Sequence, residues 1–127
     1  MNHCSLISTF LNKNNEKIIK RFNKLYKNKI LEEGYLYIYY NNDRLNWYKI
    51  GRTKRHPVKR VLEQNGILLF YKETKYNKSD ELLIHLILDF ARQIKIDIIY
   101  DKEIKHIEWF YIEDINQIIN LIDIVCN

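Results

Sequence analysis

The chain has 127 residues and a formal net charge of +5, which suits one domain with a modest core. No run of eighteen apolar residues is present, which excludes a membrane-spanning helix, and the first residues lack the apolar centre of a signal peptide. No Cys/His spacing predicts a zinc site. Cys4 and Cys126 lie near opposite ends, where a disulfide is conceivable, but we expect reduced thiols in the cytoplasm or nucleus.

The charge is unevenly distributed. Residues 1–75 carry 16 Lys and Arg against 6 Asp and Glu, whereas residues 76–127 carry 5 against 10. A strongly basic half favours a polyanionic partner, nucleic acid above all. The alternative is a basic face that is only solvated. Asn, Lys, Ile and Tyr, which all have AT-rich codons, are enriched together, so part of the Lys excess can reflect codon composition and not a polyanionic partner.

The first half predicts a helix, a hairpin, a short helix and a strand. The helix covers 5–28 and is interrupted at Asn14-Asn15. Tyr- and Ile-rich strands at 34–41 and 46–52 follow, joined by a polar loop. A short helix opens at His56-Pro57, ends at Asn65-Gly66 and turns Val58, Val61 and Leu62 to the core, and a strand covers 67–73.

The second half predicts a long helix over 80–93, capped from within 77–80, with a core face of Leu83, Leu86, Ile87 and Phe90. Residues 94–99 fit either a continued helix or a strand. A strand at 107–112 and a helix at 115–125, capped by Asp114, complete the chain. We therefore expect an α/β fold with a small, mainly antiparallel, three-stranded sheet flanked by helices.

The predicted hairpin carries the first candidate site residues. Tyr35, Tyr37 and Tyr39 share one strand face, and the hairpin sets Tyr37 close to either Lys49 or Tyr48. A neighbouring Lys would lower the pKa of the phenol and favour the form that accepts protons. The alternative is that these tyrosines are packing residues.

The next candidates are basic. Gly51 ends the second strand and allows close approach by backbone or ligand, and the run from Arg52 to His56 suits phosphate binding. Arg60 points away from the apolar side of the short helix, into either a cleft or solvent.

The long predicted helix carries a polar set opposite its core face. Glu81, His85 and Arg92 share that side, flanked by Ile84 and Leu88. A carboxylate and an imidazole there could hold a metal or relay a proton, or form an ordinary surface pair.

Together these residues resemble the GIY-YIG nuclease superfamily, in its phage-T5-type branch. The resemblance covers residues 34–112. Its motifs stand in order as Gly34-Tyr35-Leu36-Tyr37, Lys49-Ile50-Gly51-Arg52-Thr53, Arg60, Glu81 with His85, Arg92, and Glu108-Trp109-Phe110.

The resemblance implies a DNA endonuclease with Mg²⁺ or Mn²⁺ held by Glu81 as its protein ligand. Tyr37 would accept a proton from the attacking water, and Arg60 would stabilise charge in the transition state. Lys49 stands where the family name has its last Tyr, so either Lys49 or Tyr48 would orient the water. His85 joins the implied catalytic set, and the implied nucleic-acid contacts are Gly51, Arg52, Lys54, Arg55, Lys59 and Arg92.

The resemblance also implies a division of the chain. Residues 1–33 form a basic helical extension outside the nuclease-like domain at 34–127, acting either as a DNA clamp or as a packing or dimerisation element. The competing functions are a non-catalytic nucleic-acid-binding module and a small protein-interaction module built on the aromatic strands.

Overall fold

The computed structural model describes residues 3–127, with side chains from Ser5 onward. A single 3₁₀ turn, Asp89–Ala91, precedes the fourth strand. The remaining elements are α1 (His3–Leu11), α2 (Glu16–Lys27), β1 (Gly34–Tyr40), β2 (Trp47–Thr53), α3 (Pro57–Glu63), β3 (Ile67–Thr74), α4 (Asn77–Ile87), β4 (Arg92–Ile99), β5 (Lys102–Tyr111) and α5 (Ile115–Val125).

The strands form one sheet in the order β3-β1-β2-β5-β4, and every neighbouring pair is antiparallel. The predicted α/β class with helices flanking an antiparallel sheet is therefore confirmed, but five strands replace the expected three. The difference lies in residues 92–111. Tyr100 and Asp101 both have positive φ, 51° and 62°, which closes a tight two-residue hairpin between β4 and β5.

The predicted helix over 80–93 is too long at its C-terminal end, because α4 stops at Ile87. The β-branched run after it pairs with β5 and so becomes a strand. Phe90 consequently lies in the 3₁₀ turn and is 43% exposed, contrary to its predicted place in the core.

The sheet has two differently covered faces. Leu36, Ile38, Ile50 and Phe110 point to the face packed by α1, α2, α4 and α5, which forms the main core. The opposite face carries a smaller aromatic cluster of Tyr37, Tyr39 and Trp109, covered by Val61 of α3. Val58 and Leu62 are exposed rather than buried as predicted, because a seven-residue helix reaches the sheet along a narrow line.

The N-terminal helices are part of the main core. Asn15 caps α2 by accepting from the backbone N–H of Ile18, which explains the predicted interruption. Phe10, Leu11 and Phe22 are buried against the sheet-covering helices.

The structure bears on two further expectations, the free cysteines and the absence of a membrane-spanning helix. Cys126 is a buried free thiol, whereas the side chain of Cys4 lies outside the described residues. Within residues 3–127, no helix is long and apolar enough to cross a membrane.

Candidate active site

The candidate site lies where β2 and β5 separate. The two strands pair only from Trp47 to Lys49, so the rest of β2 keeps β1 as its partner but leaves β5. We call the gap that opens between β2 and β5 beyond the Lys49–Trp109 pair the seam. His85 of α4 lies in it, and its Nε2 lies 2.7 Å from the carbonyl oxygen of Ile50. Since a carbonyl oxygen only accepts, the imidazole donates from Nε2.

Tyr37 lies directly over Gly51. The two residues are cross-strand partners, and a Cβ at Gly51 would stand 2.6 Å from the Tyr37 hydroxyl oxygen. The close approach predicted at Gly51 is therefore made by the phenol of Tyr37. A residue with a side chain at this position would displace the candidate catalytic ring.

The environment of the Tyr37 phenol differs from the expectation. Burial raises its pKa, and the Arg60 guanidinium beside it acts in the opposite direction. The predicted lowering by Lys49 is wrong, because register places Lys49 opposite Tyr39 instead. The resulting phenol is protonated at neutral pH, with Arg60 as the group that favours its ionisation.

Lys49 belongs to a polar network that the sequence did not predict. Its Nζ donates to Oε1 of Gln64 at 2.9 Å, and the Tyr39 hydroxyl donates to the same oxygen at 2.7 Å. Its Nζ also lies 3.6 Å from a carboxylate oxygen of Glu108. Burial lowers the pKa of Lys49, while Glu108 raises it. This network fixes the ammonium group in the seam.

Glu81 reaches the seam from the first turns of α4. Its side chain is 18% exposed and its Oε1 lies 3.7 Å from Nε of Arg52. Burial, and next the charge of Glu108, raise the pKa of this carboxyl from 4.5 to about 7, although Arg52 and Lys49 act in the opposite direction. A partly desolvated carboxylate beside a second acid is a site that favours a bound cation.

The Glu108-Trp109-Phe110 motif predicts no site role for Glu108, but the structure brings this carboxylate to the seam. It lies beside the register shift in the β4–β5 pairing, and its charge influences Tyr37, Lys49 and Glu81. The Glu-Trp-Phe motif was the available signal. No sequence pattern near Gln64, the C-cap residue of α3, predicts its contacts with Tyr39 and Lys49.

His85 shares a helix side with Glu81 as predicted, but it is 8% exposed. Burial lowers its pKa, so the imidazole is neutral at pH 7. Its Nε2 proton is committed to the β2 backbone and its ring lies 5.2 Å from that of Phe110. Because His85 contacts both β2 and β5, it fixes the distance between these strands at the seam.

The predicted helical position of Arg92 is wrong, because this residue begins β4. Its guanidinium donates to the carbonyl oxygens of Ile107 and His85, pairs with Asp89 at 3.0 Å and covers the Phe110 ring. These contacts use one N–H donor on each of its three guanidinium nitrogens. Arg92 therefore clamps α4 to β5, and its expected nucleic-acid contact stays a prediction.

Tyr48 does not join the site. Alternation turns it to the opposite sheet face from Lys49, where it packs on the main core and against Tyr40. Of the two predicted water-orienting residues, only Lys49 therefore lies with Tyr37.

A basic groove of about 210 Å³ leads away from the site along the start of α3. Proline at the first helical position and His56 at the N-cap fix this helix start. Lys54 is 73% exposed in the groove, beside Glu32 at 3.6 Å. The groove is lined by Thr53, Lys54, Arg55, His56, Lys59, Arg60 and Glu63.

The donor chemistry of the seam fits a hard divalent cation. Among the described residues, no group of three His, Cys, Asp or Glu side chains is placed to hold a metal. One carboxylate is nonetheless sufficient where phosphate oxygens and water complete the ligands, as with Mg²⁺. Burial and the charge of Glu108 raise the pKa of Glu81, and a bound cation would offset both effects.

Comparison with known proteins gave one match. No curated protein and no solved structure matched the chain. The family model described as the T5orf172 domain matches residues 34–126, beginning where the predicted N-terminal extension ends. Since that match covers well over half of the 127 residues, the chain belongs to the T5orf172 domain family.

Proposed function

We propose that this protein is a divalent-metal-dependent DNA endonuclease of the GIY-YIG type. The observation that carries the proposal is the meeting of Tyr37, Arg60 and Glu81 at the seam. These residues come from β1, α3 and α4, and the charges of Arg60 and Glu81 both act on the Tyr37 phenol. The family match at residues 34–126 supports a phage-type module.

Each side chain has a distinct task in the proposed hydrolysis. Arg60 is exposed at the mouth of the basic groove, where it can bind the scissile phosphate and stabilise the charge that develops on it. Tyr37 orients the attacking water, and it accepts the proton of that water only as phenolate, the form that the positive charge of Arg60 favours. Lys49, held by Gln64 and Glu108, adds a second fixed positive charge.

Glu81 would hold the divalent cation, which when bound polarises the phosphate and stabilises the leaving oxygen. Arg52, 3.7 Å from Glu81, then becomes available for a neighbouring phosphate. The basic groove extends the phosphate path beyond the seam, with Arg55 and Lys59 as further contacts.

The test is nicking of supercoiled plasmid in Mg²⁺ or Mn²⁺. We expect cleavage by the natural chain and a loss of at least about 100-fold in Glu81→Gln, in Tyr37→Phe and in Arg60→Ala. The matched control is Glu113→Gln, since Glu113 is exposed just before α5 and lies away from the seam. DNA binding without cleavage in either metal, unchanged by Glu81→Gln, would instead establish the non-catalytic binding module.

A further inference from the structure

The β4–β5 hairpin leaves an unusual edge at one end of the sheet. β4 is the last strand in the order, so one side of its backbone has no partner strand among the described residues. Ile94, Ile96 and Ile98 are 58%, 51% and 73% exposed and alternate along one face of this strand. An exposed apolar edge strand is a template for pairing with another chain.

The sequence of β4 complements itself. When two copies pair antiparallel about a two-fold axis at Ile96, Lys95 lies opposite Asp97 of the partner subunit, and Ile94 lies opposite Ile98 of the partner subunit. Both charged pairs then join opposite signs, and the apolar residues form one continuous stripe.

The neighbouring two-fold registers lack this complementarity. An axis at Lys95 places two lysines opposite each other, and an axis at Asp97 places two aspartates opposite each other. Like charges directly opposite on adjacent strands are destabilising. The register at Ile96 is therefore selected by charge as well as by the apolar pattern.

We propose that two copies of this chain associate through β4, in the register centred on Ile96, to form a continuous ten-stranded sheet. The two-fold axis of such an antiparallel pair is perpendicular to the sheet, so both α3 faces point to the same side. The seams of the two copies would then face one DNA duplex together. This consequence rests on the proposed function, whereas the association of the two copies does not rest on it.

The association is of moderate strength. One strand pair buries less than the roughly 1,600 Å² of a standard interface, so we expect a dissociation constant on the order of 10 µM. Sedimentation velocity of the full chain from about 1 to 500 µM therefore spans the expected transition. The mass should rise from 15.6 kDa towards twice that value.

Charge reversal gives a sharp test of the register. Lys95→Asp and Asp97→Lys should each weaken self-association by at least about tenfold, because each puts like charges in both pairs. Mixing the two variants should restore a dimer, since the mixed pairs again join opposite charges. The restored dimer would also show that both variants fold.

A second pair of variants protects the test against a local folding effect at Asp97, which contacts His106 at 2.9 Å in its own chain. Ile96→Lys places two charges at the axis and should abolish association. Leu69→Lys, at a comparably exposed position of the opposite edge strand β3, should leave it unchanged. A natural chain that is monomeric at the highest concentration overturns the proposal, as does a mixture that fails to associate or a dimer that Ile96→Lys leaves intact.

Discussion

The raised pKa of Glu81 makes the free energy of unfolding depend on pH. Burial and the nearby charge of Glu108 hold its pKa at about 7, against 4.5 for an ordinary glutamate. Between these values the folded protein binds a proton that the unfolded chain releases. This group therefore lowers the stability of the fold progressively as the pH rises from about 4.5 to about 7, and the loss is complete and constant above that range.

We expect Glu81→Gln to stabilise the protein at alkaline pH by about 1–3 kcal/mol, because the neutral amide removes the unfavourable charge. The gain should shrink below about pH 7 and vanish near pH 4, where the carboxyl is protonated in both states. Urea unfolding at a series of pH values measures this difference. Glu113→Gln, at an exposed position, should show no such gain, and equal stability of Glu81→Gln and the natural chain at pH 8.5 would contradict the raised pKa.

At the scale of elements, α3 links the seam to the basic groove. Its two buried residues are Pro57 and Val61, of which Val61 packs on the aromatic cluster. The basic residues on its outer side are therefore free to contact phosphate. Arg60 points to the seam end of the groove, while Arg55 and Lys59 line it further out. The same helix ends in Gln64, which holds Lys49.

We expect Arg55→Gln and Lys59→Gln each to weaken DNA binding at low salt without changing the preferred sequence, because contacts to phosphate carry no base information. Each should also reduce the slope of log affinity against log salt by about 1. Fluorescence anisotropy with labelled duplex across a salt series measures both effects. Lys102→Gln, at the exposed end of the β4–β5 hairpin, is the charge-matched control and should leave the slope unchanged.

At the scale of the whole molecule, the N-terminal helices and the family-matched region share one core. Lys29 joins them by an ion pair of 2.8 Å to Asp80, whose side chain is completely buried. Asn14 adds a hydrogen bond of 2.9 Å to the backbone of Ile87. One side of α1 and α2 is thus buried in the core, while the exposed lysines of α2 stay available to a polyanion.

We expect a chain of residues 34–127 to lose cooperative unfolding, because Phe10, Leu11 and Phe22 leave the core and Asp80 loses its cation. Thermal unfolding followed by circular dichroism measures this. Neutralising the exposed Lys17, Lys20 and Lys24 in the full chain should leave the transition within about 0.5 kcal/mol. A truncated chain with the same transition as the full one would show that residues 34–127 form a self-sufficient domain.

Short-range patterns in the sequence determined much of this protein. Alternating aromatic and aliphatic residues predicted β1, β2 and β3. The predicted interruption at Asn14-Asn15, the helix opening at His56-Pro57 and the cap at Asp114 lie within a residue or two of helix starts. The family resemblance, carried by the order of motifs along the chain, named Tyr37, Arg60 and Glu81, whose catalytic roles stay predictions. Strand alternation and helix capping are local signals, because both depend on neighbours a few positions away.

Only the tertiary structure decided how the strands meet. The register set Tyr37 over Gly51 and Lys49 beside Tyr39, and packing turned Tyr48 away from the site. The hairpin of β4 and β5 drew Arg92 into a clamp and brought Glu108 next to the seam. Register and burial depend on contacts between residues distant in the chain, so local patterns could not reveal the electrostatics that raise the pKa of Glu81.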